Sequence, residues 1–148
     1  MSSQETSQES HSAQATPLRV LLLDDDSFML ALLEDMLDEL GSFDVAGASS
    51  AKAALALLAQ APPDLLICDL SMPDMDGIEF LRLAAEASYR GAVVLLSGMD
   101  AGVLRAAERL AMAQGLAILG ACSKPVAATE LGRLVALAAA HRQSAPTP

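Results

Sequence analysis

The chain has no tryptophan, one tyrosine and three phenylalanines in 148 residues. Its core must therefore be built from Ala, Leu, Val and Met. Cysteine occurs twice, as Cys68 and Cys122, and neither lies in a CxxC pair. That spacing excludes a thiolate metal cluster; both read as small buried hydrophobes of a reducing compartment, with a disulfide as the minor alternative. Positive charge is scarce. Nine Lys and Arg face nineteen Asp and Glu, for a net charge of −10, which argues against binding nucleic acid or an anionic membrane surface. No apolar run reaches the length of a membrane span, and the polar N-terminus does not resemble a signal peptide. The expected location is the cytoplasm.

What is present is an alternation of short apolar runs and helical periodicities. Residues 1–17, rich in Ser, Gln, Thr and Glu, read as a disordered tail, 18–141 as one domain, and 142–148 as a second tail or the start of a linker. Within the domain, strands are expected at 19–23, 43–48, 64–68, 92–96 and 116–119. Helices are expected after the capping residues Asp26 and Ser27, from Ser50 to Gln60, over 77–87, from near Asp100 to Gln114, and over 127–141. The first helix carries Phe28, Leu32, Leu33, Met36, Leu37 and Leu40 on one face, with acids opposite, and ends at Gly41. Strands apolar on every side are covered on both faces, which means a parallel α/β sheet with helices on each side.

In such sheets ligands bind beyond the carboxyl ends of the strands. The first strand ends in Asp24-Asp25-Asp26 and the third in Asp69. The fourth is followed by Ser97-Gly98, and the fifth by Ser123-Lys124-Pro125, which holds one of only two lysines. His11 and His141 fall at or beyond the domain's ends. Clustered carboxylates repel unless they keep protons or hold a cation. An all-oxygen ligand set selects a hard ion, with Mg²⁺ the natural choice. A carboxylate beside such an ion, opposite an ammonium, suits phosphoryl transfer, with Ser97 donating to a phosphoryl oxygen.

In order and spacing, Leu-Leu-Leu-Asp-Asp-Asp, Asp-Leu-Ser-Met-Pro-Asp-Met-Asp-Gly, Leu-Leu-Ser-Gly and Ser-Lys-Pro resemble the receiver domain of two-component response regulators over about 18–141. The segment from Asp69 to Gly77 is the most specific part of this likeness. The resemblance implies a flavodoxin-like (βα)5 doubly wound sheet of strand order 2-1-3-4-5. It implies Asp69 as phosphoacceptor, Asp25 as a direct Mg²⁺ ligand helped by Asp24, and the Ser71 backbone carbonyl as the remaining protein ligand. Ser97 becomes the switch hydroxyl, Lys124 the phosphoryl-binding lysine, and Lys124-Pro125 a cis peptide. The implied phosphodonor is a phosphohistidine on a sensor histidine kinase or phosphotransfer protein. A homodimer through helix 4, strand 5 and helix 5 is a further implied partner. The domain would signal rather than act as an enzyme beyond its own phosphorylation and dephosphorylation.

Two departures stand out. Ala121 occupies the position, three before the lysine, where receivers usually carry Tyr or Phe. The interval from Ser97 to Lys124 is a few residues longer than usual, lengthening helix 4. The segment Leu-Ser-Gly-Met-Asp…Leu-Gly-Ala-Cys-Ser-Lys-Pro resembles receivers fused to EAL-type cyclic-di-GMP phosphodiesterases. Two other readings compete. A haloacid-dehalogenase-like phosphatase would use Asp24 as nucleophile, but Phe28 fails its motif and only Glu130 remains after the lysine. A receiver-fold interaction module that is never phosphorylated is the second. Asp74 and Asp76 read as turn and capping residues, Met72, Met75 and Met99 as packing, and Arg105, Glu108 and Arg109 as a solvated helix face.

Overall fold

A computed structural model describes residues 16–72, 77–98 and 101–144. The readings of Asp74, Asp76, Met75, Met99 and Asp100, and of most of both tails, lie outside them. The chain alternates β1 (Leu18–Leu23), α1 (Ser27–Leu40), β2 (Phe43–Ala48), α2 (Ala51–Gln60), β3 (Leu65–Asp69), α3 (Gly77–Glu86), β4 (Ala92–Ser97), α4 (Ala101–Ala113), β5 (Ala117–Ser123) and α5 (Ala128–Ser144). The five strands form one parallel sheet in the order β2-β1-β3-β4-β5. This is the expected flavodoxin-like arrangement.

Strand alternation divides the core in two. Leu21, Leu23, Leu66, Cys68, Val93 and Leu95 pack with Ala54 and Leu58 of α2, Phe80 and Ala84 of α3, and Leu104 and Ala107 of α4. Val20, Leu22, Leu65, Ile67, Val94 and Leu96 pack on the opposite face with Leu33 and Leu37 of α1 and Leu131, Leu134 and Ala138 of α5. The split explains the cysteines. Cys68 belongs to the first core and Cys122 packs against the second, so the sheet separates them and both are free thiols. Burial also pushes the Cys68 thiol far above its usual pKa, aided by the nearby Asp69 and Asp24 charges.

Local chemistry sets the element ends. The Asp26 carboxylate accepts the Phe28 amide and caps α1, and the Ser50 hydroxyl accepts the Ala53 amide and caps α2. Helix α4 ends at Gly115, whose φ of 98° lies in the left-handed region that glycine enters without strain. Gly77 opens α3 because a Cβ there would stand 2.7 Å from Leu70 Cδ2 and 3.2 Å from Leu70 Cα. That close approach docks the helix against the chain leaving Asp69.

Three expectations need correction. On α1 only Leu33 and Leu37 of the apolar stripe are fully buried, while Phe28 is 72% exposed and Leu32 and Leu40 also face solvent. A helix resting on one edge of a two-helix layer buries a narrower stripe than its periodicity suggests. Strand β5 continues to Ser123 rather than stopping at Leu119. A bulge opposite Val93 and Val94 absorbs Leu119, after which Ala121 aligns with Leu95 and Ser123 with Ser97. Helix α5 continues past His141 to Ser144. Its last turn is tied down by Arg142, whose guanidinium donates to Asp64 Oδ2 at 3.1 Å and to the Pro17 and Thr16 carbonyls at 3.3 Å. A cleft of about 370 Å³ lies beside this tie, lined by Tyr89, His141 and Arg142 among others. It opens at the amino ends of the strands, and none of the acidic rim residues line it.

Candidate functional site

The carboxyl ends of β1, β3, β4 and β5 meet on one rim. Asp24 directly follows β1; its amide donates to the Ala48 carbonyl at 3.1 Å, which fixes its backbone against β2. Its side chain is buried, with Oδ1 accepting the Asp26 amide at 2.9 Å and Oδ2 accepting Lys124 Nζ at 2.9 Å. Asp69 is the last residue of β3 and also buried. Its Oδ1 accepts the Ser71 amide at 2.9 Å and lies 3.2 Å from Lys124 Nζ. Lys124 thus bridges the two buried carboxylates. Its own amide donates to the Ser97 carbonyl at 2.9 Å, which anchors the chain leaving β5 to the end of β4. The Lys124-Pro125 peptide is cis, as the resemblance implies.

Ser97 is fully buried at the end of β4. Its hydroxyl lies 3.0 Å from the Ser71 hydroxyl, and the Gly98 amide donates to the same Ser71 oxygen at 3.0 Å. Asp25, exposed, completes the acidic group: one oxygen each from Asp24, Asp25 and Asp69 lies within 4.8 Å of the others. Every sequence-predicted site residue therefore reaches one place. The Ser71 side chain was not singled out in the sequence, where only its backbone carbonyl drew notice. A serine two positions after the acceptor aspartate was the available signal, but nothing in the sequence says which way its hydroxyl turns.

The electrostatics have a single sense. Burial raises the Asp69 carboxyl above its ordinary range; the Ser71 amide and Lys124 oppose this, and the Asp24 charge adds to it. Burial pulls the Lys124 ammonium down, but hydrogen bonds and charge from Asp24 and Asp69 outweigh that and leave it raised. Both groups hold their protons more firmly than in water, Asp69 chiefly because it is buried and Lys124 because two carboxylates face it. The donor set is carboxylate oxygen without thiolate or imidazole, which suits a hard divalent ion such as Mg²⁺ and not zinc.

Apart from the part-buried Arg142–Asp64 tie, the ion pairs on the helices away from the rim are solvated. Arg82 bonds Glu79 and Glu86, and Arg133 bonds Glu130, all on exposed helix surface. Arg105 and Arg109 are exposed as expected. Ala121 is partly buried against the α2–α4 core. Among the described residues, no helix is long and apolar enough to cross a membrane.

The family model of the response regulator receiver domain matches residues 20–136. The cyclic di-GMP phosphodiesterase RocR of Pseudomonas aeruginosa is 32% identical over 130 residues, covering 87% of this chain and 33% of RocR. This agrees with the resemblance to chains joined to cyclic-di-GMP phosphodiesterases. The chemotaxis protein CheY of Bacillus subtilis is 32% identical over 81 residues, or 55% of this chain and 68% of CheY. A response regulator from Colwellia psychrerythraea superposes with a TM-score of 0.72 at 35% identity, covering 84% of this chain and 99% of that one. The chain spans about a third or less of the length of most curated relatives it matches. The match does not favour the phosphatase alternative. With four strand ends converging on an acidic rim bridged by one lysine, and a family match over most of its length, the chain belongs to the response regulator receiver domain family.

Proposed function

We propose that Asp69 accepts a phosphoryl group from the phosphohistidine of a sensor histidine kinase or a phosphotransfer protein. The observation that carries this is the bridge made by Lys124 between Asp24 and Asp69, at 2.9 and 3.2 Å, on a buried rim that remains negative. Asp24, Asp25, Asp69 and the Ser71 carbonyl would hold Mg²⁺, which when bound supplies positive charge to neutralise the transferring phosphoryl oxygens. An oxygen of the Asp69 carboxylate attacks phosphorus while the phosphorus–nitrogen bond breaks and its electron pair returns to the donor imidazole. Lys124 moves its charge from Asp69 to a phosphoryl oxygen, and Ser97 donates its hydroxyl to another. The product is an acyl phosphate on Asp69, which water entering past the exposed Asp25 and Ser71 later hydrolyses. The domain's chemistry is confined to these two steps, so it signals rather than turning over a substrate. Its place is the cytoplasm, with its donors. The α4–β5–α5 face is the output surface and homodimer contact of this reading, and Val103 and Leu110, two helical turns apart, leave apolar surface exposed on α4.

Intact-mass measurement after incubation with acetyl phosphate and Mg²⁺ tests the assignment. The wild-type chain gains one phosphoryl mass, and Asp69→Asn gains none. An adduct that persists in Asp69→Asn refutes Asp69 as acceptor. An unmodified wild-type chain that is also indifferent to beryllofluoride favours the unphosphorylated interaction module.

A further inference from the structure

Ser71 makes two separate connections at the rim. Its amide holds Asp69 Oδ1 at 2.9 Å. Its hydroxyl lies 3.0 Å from Ser97 Oγ and accepts the Gly98 amide at 3.0 Å. One exposed residue therefore touches the carboxylate at the end of β3 and the first two residues of the β4–α4 corner. Ser97 has its hydroxyl against Ser71 before any phosphoryl group is present. Either hydroxyl can be the donor of this pair, and in both cases a Ser97 side chain that turns its oxygen toward a phosphoryl group on Asp69 carries it out of the Ser71 contact. Ala121 has no ring to rotate in response.

We propose that the Ser71 hydroxyl is a latch that holds Ser97 and Gly98 in the resting arrangement and so sets how easily the domain switches. The proposal rests on Asp69 being the phosphoacceptor. Ser71 is a positioning residue here, since it acts through Ser97 and the Gly98 amide. The sign of its effect follows from which state loses more. Removing the hydroxyl costs the resting state its contacts with both Ser97 and Gly98. It costs the phosphorylated state at most the Gly98 contact, because Ser97 has turned to the phosphoryl group. Ser71→Ala therefore shifts the balance toward the switched state by about the net worth of one hydrogen bond, which is roughly 2- to 10-fold.

The test is titration of the full chain with beryllofluoride at saturating Mg²⁺, with the Gly98 amide followed by NMR. In Ser71→Ala the midpoint falls roughly 2- to 10-fold. Before any ligand is added, its Gly98 resonance already lies displaced toward the beryllofluoride-bound position. Ser71→Thr keeps a hydroxyl at an exposed position and restores both wild-type values, which a merely structural role would not require. An unchanged or higher midpoint in Ser71→Ala, or failure of Ser71→Thr to restore it, overturns the latch while Asp69 phosphorylation of the wild type stands. If the wild type neither binds beryllofluoride nor gains a phosphoryl mass at Asp69, the underlying reading falls and the latch with it.

Discussion

Replacing Lys124 with methionine keeps most of the side-chain stem and deletes the ammonium that bridges Asp24 and Asp69. The two carboxylate side chains are 2% and 3% exposed, so water cannot take over the role of the lost charge. Removing one partner of a buried ion pair costs about 3–5 kcal/mol. Lys124 keeps 19% exposure, which places the effect at the lower end, near about 3 kcal/mol. For a domain of this size that corresponds to a fall of about 12 °C in Tm, at about 4 °C per kcal/mol. Thermal unfolding in EDTA at neutral pH measures it. Two further measurements identify the cause. Saturating Mg²⁺ restores much of the loss, because the cation replaces the missing positive charge. Acid narrows the gap as well. The folded chain holds the Asp69 proton more tightly than the unfolded chain does, so the ionised carboxylate costs stability at neutral pH. That cost disappears as pH falls through the raised pKa of Asp69, above the ordinary aspartate value of about 3.9. A variant within about 1 kcal/mol of wild type in EDTA, with no response to Mg²⁺, refutes Lys124 as the counter-ion of this rim.

Two other changes probe the scaffold. Gly77→Ala drives a methyl toward Leu70, whose side-chain tip can yield but whose Cα, 3.2 Å away, cannot; urea denaturation should register a loss of about 1–2 kcal/mol, and no loss would mean that the start of α3 shifts freely. Arg82→Ala breaks ion pairs with Glu79 and Glu86 on exposed surface, so its urea denaturation midpoint should coincide with that of wild type, and a clear fall would show that this pair network is not merely solvated.

The rim was legible in the sequence because the apolar runs of β1, β3 and β4 stop abruptly at a polar residue. Leu23 gives way to Asp24, Cys68 to Asp69 and Leu96 to Ser97, and burial on both faces leaves little choice of register. Strand β5 was harder to read. As an edge strand it is only partly buried, and Gly120 and Ala121 carry little hydrophobic signal; Gly120 is small because a Cβ there would meet Leu134 Cδ2 at 2.8 Å. Phe28 misled for the opposite reason. It fits the helical period of α1 but lies beyond the edge of the surface that the sheet and α5 cover. The end of α5 depended on a tertiary contact, Arg142 with Asp64, that helical periodicity cannot reveal. The Ser71 hydroxyl depended on a rotamer.

The tie made by Arg142 has a consequence for how this domain can be rebuilt. By reaching the Thr16 and Pro17 carbonyls from the last turn of α5, it places both ends of the described fold side by side. They sit one strand length from the acidic rim, or about 20 Å for six residues. A short linker can therefore join Ser144 to Thr16, and the chain can be reopened at another loop without touching the rim. A reporter fused directly at Thr16 or at Ser144 shares one mounting point and leaves the face around Asp69 clear.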